Sequence, residues 1–445
     1  MLNKIMDALN KRSDLAGWTV RHRFNRGAQV YAVPRQTEAQ RAVEVEHYEI
    51  NVLRQTSETD GDQTVGSGEA TILPGGDIEA AIEKAVLTAG LVSNPVYTLP
   101  APAPLPDVPL ADADLQKDAS AVTKSIMERI QASASRNHHD VQLTAAECFG
   151  EIHTTHFINN RGIDVEQEAT QVNIEFVLHS QRGEKEVETF TEIRRRRLAD
   201  LNIEDEIERR TRHTLDLFEA GSPPAWQGPV VLRGGVLSTF MAGDSLRGAV
   251  LHTLGSAEAK YAKISPWEIG KPVFRGEVKG DPLTVWANRC MPYGIYSSRF
   301  DEEGLPAQRV ELIRNNELIA FSASQRYANY LNIPATGAFG GLEVAPGSAP
   351  AAELLNEPYV EIIQFSWFNP DLITGDFATE IRLGYLVENG IRKPFRGGQL
   401  IGNYLDALAD VRWSAETGMF GSYLGPHTAR FNDLKIAGSG EWARI

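Results

Sequence analysis

Asp77-Ile78-Glu79-Ala80-Ala81-Ile82-Glu83 sets the reading of the N-terminal half. Asp77 is a short acceptor side chain of the kind that opens helices, and Ile78, Ile82 and Leu87 then recur on one side of a helical wheel. Just upstream, His47 to Arg54 alternates, with Tyr48, Ile50 and Val52 on one face, which predicts a half-buried strand. Strands followed by a helix is therefore the expected unit. The unit returns: Asn202-Ile203-Glu204, Ile207 and Glu208 match Asp77-Ile78-Glu79, Ile82 and Glu83 at a constant offset that carries position 77 onto 202. In both places a short polar side chain can cap the helix, and early glutamates complement the positive end of its dipole. The match suggests an internal duplication. Convergence stays open, since any capped amphipathic helix tends toward this pattern.

Between the two copies lies Leu99-Pro100-Ala101-Pro102-Ala103-Pro104-Leu105-Pro106, followed by Pro109, where repeated prolines remove amide donors and fix φ. That run predicts an extended, semi-rigid connector over 99–110. Beyond it, Leu115, Ala119, Val122, Ile126 and Ile130 recur at helical spacing, and Val172, Ile174, Phe176 and Leu178 mark a strand. From about Gly228 the chain changes to short β-rich runs punctuated by Asn315-Asn316, Glu388-Asn389-Gly390 and Gly397-Gly398. Leu246 to Ala259 and Gln325 to Leu331 are the expected helices there, and Tyr359 to Phe368 and Ile381 to Val387 the expected strands. The fold class is α+β: a mixed α/β N-terminal half divided into regions 1–98 and 111–225, then a mainly β domain over 226–445.

Composition excludes several function classes. The chain has 445 residues, 44 Lys plus Arg against 59 Asp plus Glu, and a net charge of −15. Long-range attraction to nucleic acid or anionic membrane needs the opposite sign, so neither is expected as a partner. Two cysteines, Cys148 and Cys290, write neither a disulfide framework nor a CxxC metal knuckle, and suit a reducing compartment. Met1 to Leu15 lacks the apolar run of a secretion signal, and no segment reaches the roughly 18 apolar residues of a membrane helix. The expected location is the cytoplasm.

Few residues announce chemistry. Cys148, His153 and His156, with His138 and His139 upstream, form the densest metal-like grouping, but on a strand the side chains of His153 and His156 face opposite sides. Arg194-Arg195-Arg196-Arg197, with Arg209, Arg210 and Arg212, could bind phosphate; Glu204, Asp205, Glu206 and Glu208 lie close enough to neutralise much of it, and no aromatics interleave for base stacking. Gly337-Ala338-Phe339-Gly340-Gly341 and Arg396-Gly397-Gly398-Gln399 lack the lysine and the strand-to-helix setting of a phosphate loop and read as turns.

The C-terminal half carries a more specific pattern: Ile373-Thr374-Gly375-Asp376-Phe377, Gly384 through Glu388-Asn389-Gly390, Lys393-Pro394, and Gly397 through Gly402-Asn403. With Phe300-Asp301-Glu302-Glu303-Gly304, Thr336-Gly337, Asn160-Arg161-Gly162 and Phe431 to Gly438, it resembles the TldD/PmbA family ("modulator of DNA gyrase"), and within it the PmbA branch, also called TldE. The resemblance implies a two-subunit peptidase of the bacterial and archaeal cytoplasm. In its TldD-type subunit a HExxxH helix and a cysteine near the C-terminus bind zinc, and the glutamate activates water.

Aligned on Ile264-Ser265-Pro266, this chain places Gly248, Ala249 and Thr253 where that motif has its two histidines and glutamate, and it has no cysteine after Cys290. His252 stands one residue out of register. The resemblance therefore implies a non-catalytic subunit with no catalytic residue, no metal ligand and no cofactor of its own, the zinc being carried by a TldD-type partner. It implies a heterodimer with that HExxxH-bearing chain, or a homodimer, acting on small or unfolded polypeptides. Thr374, Gly375, Asp376 and His252 are the candidate functional surface. The competing readings are a free-standing metal-dependent peptidase using other ligands, such as His252 with Glu258 or the Cys148 group, and a protein-binding factor that modulates gyrase.

Overall fold

A computed structural model of the chain describes residues 1–33, 36–57, 63–137, 140–243 and 249–438. The strands-then-helix unit occurs twice. The first copy is α1 (Leu2–Asn10), β1 (Leu15–Val33), β2 (Gln36–Ser57), β3 (Gln63–Ile72) and α2 (Ile78–Ala89). A short β4 (Asn94–Pro95) and α3 (Ala113–Lys117) follow. The second copy is α4 (Ala119–Asn137), β5 (Gln142–Asn159), β6 (Asp164–Arg182), β7 (Lys185–Arg195) and α5 (Ile203–Glu219). All these strands form one antiparallel sheet in the order β4-β3-β2-β1-β5-β6-β7, with the first strands of the two copies paired at its centre, His22 opposite His156.

Each copy buries its helices on its own half of the sheet. Ile5, Leu9, Val20, Tyr48, Ile50, Val52 and Ile82 make the first core; Ile126, Ile130, Cys148, Val172, Ile174, Phe176, Ile203 and Ile207 make the second. The recurring Ile82 and Ile207 are both fully buried, which is why the sequence match falls on them. The caps differ. The Asp77 carboxylate accepts a hydrogen bond from the amide of Ala80 at 3.0 Å. Asn202, expected to cap in the same way, sits at φ −96° and ψ 65° and makes no side-chain cap bond. Glu204 instead forms a two-pronged ion pair with Arg129 on α4 at 2.7 and 2.9 Å, tying the two helices of its copy together.

Residues 96–112 carry neither helix nor strand. Proline lacks an amide donor but keeps its carbonyl, and this segment uses its carbonyls on both sides. Those of Leu99 and Pro100 accept from Arg161 and Asn159 at the end of β5 and in the turn after it, and those of Pro106 and Pro109 accept from Arg299 and the Tyr293 amide in the C-terminal half.

The C-terminal half opens with β8 (Trp226–Arg233), α6 (Gly234–Ala242), α7 (Val250–Leu254), α8 (Ala257–Tyr261), β9 (Val285–Asn288), β10 (Arg309–Arg314), β11 (Glu317–Leu318), α9 (Gln325–Leu331) and β12 (Gly341–Val344). It continues with β13 (Tyr359–Phe365), β14 (Asp376–Glu388), β15 (Ile391–Phe395), β16 (Gln399–Asn403), α10 (Tyr404–Ala409), β17 (Val411–Trp413), β18 (Thr417–Phe420), β19 (Tyr423–Pro426) and β20 (Thr428–Ala437). The run β13-β8-β20-β16-β14 closes through β13–β14 pairing into a small barrel, beside a second sheet β11-β10-β9-β12-β19-β18. Between them α6 inserts Phe240, whose ring lies 5.0 Å from Tyr404, 4.9 Å from Phe431 and 4.9 Å from Phe368. The mainly β character is as expected. The helix expected over Leu246 to Ala259 is instead, in its described part, two short helices: the chain breaks at Gly255-Ser256, and the Ser256 hydroxyl caps α8 by accepting from the Ala259 amide.

Candidate functional site

Thr374, Gly375 and Asp376 form a tight turn leading into β14, and the structure joins them to Gly402-Asn403, the far end of the same sequence pattern. The Asp371 carboxylate accepts from the amides of Ile373 and Thr374 at 2.8 and 2.7 Å, which hold it below the usual carboxylate range. Gly375 has φ +81°, and a Cβ there would meet the Asn403 side chain at 3.3 Å. Asn403 donates to the Thr374 carbonyl and to Asp376, while its own oxygen accepts from the amides of Leu405 and Asp406 and so caps α10. The Thr374 hydroxyl donates to the other Asp376 oxygen at 3.0 Å. The turn thus clamps β14, β16 and α10 together. Thr374 and Asp376 stay exposed, next to an exposed Ile373.

His252 lies on α7, whose Val250, Leu251 and Leu254 are buried, and its ring meets Phe339 edge-on at 4.7 Å. Phe339 belongs to a second constellation. Asp301, 4% exposed, accepts from the amides of Glu303, Leu305 and Ala338. Arg289 donates to the carbonyls of Ala338 and Phe339 and to Ser298, and lies 3.5 Å from Glu302. Thr336 closes the group, donating to the Phe321 carbonyl and accepting from the Ala323 amide. Phe300 to Gly304 and Thr336-Gly337 therefore meet in one polar joint built around the buried Asp301 and Arg289. Its outer side reaches the N-terminal sheet, where Arg21 donates to the Glu302 carbonyl and Phe157 packs against Phe300. Burial raises the Asp301 carboxyl, and burial followed by the Asp301 charge raises Glu303 to about 7.

The other candidate groupings come apart. Cys148 is buried in the second core, and burial pushes its thiol up to about 12. His153 lies near Glu151, whereas His156 pairs with Asp164 at 2.6 Å from the opposite face of β5. His138 and His139 lie outside the described residues. Along the arginine run, Arg194 pairs with Glu192, and Arg197 pairs with Asp200 and covers the Tyr293 ring. Arg196 turns inward to donate to the carbonyls of Ile295 and Ser297. That staple between the halves has no sequence signal, because its acceptors are backbone atoms about a hundred positions away. Glu258, the suggested companion of His252, accepts from the Tyr327 hydroxyl instead.

The residues at the family's zinc position do not fit a zinc ion. Ala249 and Thr253 offer no imidazole or carboxylate, Gly248 lies outside the described residues, and the described residues contain no grouping of three or more His, Cys, Asp or Glu able to hold a metal.

Residues 233–438 match the PmbA/TldA metallopeptidase C-terminal domain. An uncharacterized protein of Methanocaldococcus jannaschii, MJ0231, is 26% identical over 279 residues, 59% of this chain; the match spans 62% of that relative's length. In overall fold the chain is similar to TM0727 of Thermotoga maritima, a protein put forward as a modulator of DNA gyrase, with a TM-score of 0.81 at 18% identity over 98% of this chain and all of that one. It is similar to TldE of Thermococcus kodakarensis, with a TM-score of 0.80 at 16% identity over the same shares. BT3649 of Bacteroides thetaiotaomicron, also put forward as a gyrase modulator, gives 0.81 at 14% over 98% of each chain. These low identities speak to fold, and the domain match speaks to kinship. The chain fits the TldD/PmbA family, its residues 233–438 matching that family's C-terminal domain.

Proposed function

We propose that the chain is a PmbA/TldE-type subunit without a catalytic centre of its own, which completes a TldD-type zinc metallopeptidase acting on small or unfolded polypeptides in the cytoplasm. One observation carries the reading: where the family's metallopeptidase subunit has its HExxxH helix, this chain has Ala249 and Thr253 on or beside a five-residue α7, and the nearby His252 is packed against Phe339. The T. kodakarensis TldE fold supports the choice of branch. No described helix is long and apolar enough to cross a membrane. A β-rich half also suits a peptide chamber, since strand edges can hold an extended chain through main-chain hydrogen bonds with little sequence preference.

The test is reconstitution. The purified chain is expected to hold no stoichiometric zinc by elemental analysis and to leave an unfolded casein-like substrate intact. Adding a HExxxH-bearing partner is expected to produce chelator-sensitive cleavage and a larger complex on gel filtration. One equivalent of zinc together with chelator-sensitive cleavage by the lone chain, lost in His252→Ala, would instead establish the free-standing peptidase. Co-purification of gyrase with the chain, without cleavage in any mixture, would favour the gyrase-binding reading suggested by the names of the two bacterial neighbours.

A further inference from the structure

The polar groups of the segment joining β13 to β14 are spent within the barrel. The Asp371 amide donates to the Asp376 carbonyl at 2.8 Å, and the Ser366 amide to the Glu380 carbonyl at 3.0 Å. The Thr379 hydroxyl donates to the Trp367 carbonyl. Phe368 and Phe377, their rings 5.4 Å apart, anchor the segment in the barrel core. Held along its length, the segment still turns two large apolar side chains to solvent, Trp367 at 66% and Ile373 at 55% exposure. Trp367 is the one mostly exposed tryptophan among the described residues.

These two side chains flank a strip of the barrel's outer face. Along β14 the exposed Asp376, Ala378 and Glu380 alternate with buried Phe377, Thr379 and Ile381, and Asn403, Ile401 and Gln399 of β16 stand opposite the exposed three. Through Arg382 the strip is about 20 Å long. Its ends differ in sign. At the Ile373 end, Asp371 and Asp376 accept only from uncharged donors among the described residues, and the exposed Asp406 opens α10 beside Asn403. At the Trp367 end, Glu380 accepts from the Ser366 hydroxyl at 2.6 Å, and Arg382 donates to the same oxygen at 3.0 Å. Arg396 adds a second guanidinium there: it is exposed, and the amide of the next residue, Gly397, reaches the Ile381 carbonyl at 2.8 Å. Lys435, exposed on β20 opposite Ile401, lies near the middle. One end thus carries three carboxylates and no base, the other two guanidiniums and one carboxylate.

A surface of this polarity is complementary to itself reversed. A two-fold axis crossing β14 near Thr379 sets each end against the opposite end of a second copy, whereas an axis along β14 sets like charge on like. The crossing axis also brings Trp367 beside its own copy and faces Arg396 with Asp406 of the second molecule. We propose that this strip, built on Trp367, Ile373, Ala378 and Ile401 between Arg396 and Asp406, is the contact through which two copies of the chain pair. The hydrogen-bonded frame lowers the ordering cost of binding, and tryptophan is among the residue types that dominate interface energetics. So short a strip makes a reversible pair, set by concentration. It needs neither zinc nor a HExxxH-bearing partner, so it stands or falls apart from the subunit reading.

The full chain is followed by sedimentation velocity from about 1 to about 500 µM in low-salt buffer. A concentration-dependent equilibrium between monomer and dimer is expected. Trp367→Ala, at an exposed position, is expected to weaken the dimer about tenfold or more. Arg396→Glu and Asp406→Arg are each expected to weaken it about fivefold, since each contact occurs twice, and the two together to restore it. Positions 396 and 406 stand at opposite ends of the strip in one chain, so restoration reports a contact between chains. Leu91→Ala, 87% exposed just beyond α2, is expected to leave the equilibrium unchanged. A monomer across the whole range, a dimer indifferent to Trp367→Ala, a double charge variant no stronger than the singles, or an equal loss in Leu91→Ala would overturn the proposal.

Discussion

Glu303 shows how a surface-type side chain is converted by its neighbours. It sits in the same turn as Asp301, its carboxylate accepts from the Gln325 amide, and it is lifted to about 7 by burial and by the Asp301 charge. The folded state then keeps a proton through a range in which the unfolded chain, near the usual 4.5, has released it. The associated stability is full below the unfolded value and is lost as pH rises through the folded one. Glu303→Gln keeps the acceptor and removes the titration. Relative to the parent, it is expected to gain up to about 3 kcal/mol between about pH 5 and pH 8 in urea unfolding; parallel stability curves would contradict this. None of this was legible from Phe300-Asp301-Glu302-Glu303-Gly304 alone, because the burial comes from Ala338, Arg289 and the N-terminal sheet. Thr374-Gly375-Asp376 was legible as a turn, since glycine supplies the positive φ and aspartate the local acceptors. Its partnership with Asn403 lay in the fold.

At the level of elements, local chemistry spoke clearly where it was self-contained. Asn315-Asn316 and Asn389-Gly390 take positive φ at both residues, as a two-residue hairpin turn demands, and they join β10 to β11 and β14 to β15. The long helix expected through Gly255 failed because Ser256 offered a better cap for a new start than the glycine offered for continuation. Helices α2 and α5 repeat the same apolar spacing with different caps, and this difference is measurable. Asp77→Ala is expected to cost about 1 kcal/mol, whereas Asn202→Ala is expected to cost a few tenths; equal losses in thermal unfolding would mean that Asn202 caps after all.

Across the whole molecule, the connection between halves is made by groups that no periodicity displays: Arg196 on the carbonyls of Ile295 and Ser297, Arg21 on Glu302, and the proline carbonyls of 100–109. The duplicated layout was legible in outline from Ile78, Ile82, Ile203 and Ile207, but not the way its copies meet. Their junction is the ladder between β1 and β5, running from Thr19 opposite Asn159 to Ala32 opposite Ala146. Removing everything from Leu99 onward would strip one flank of β1 of its mate, and the nearest substitute is the same flank of a sister molecule. Fragment 1–98 is accordingly expected to sediment as a self-complementary pair, and a monodisperse single species would argue that the seam needs no mate.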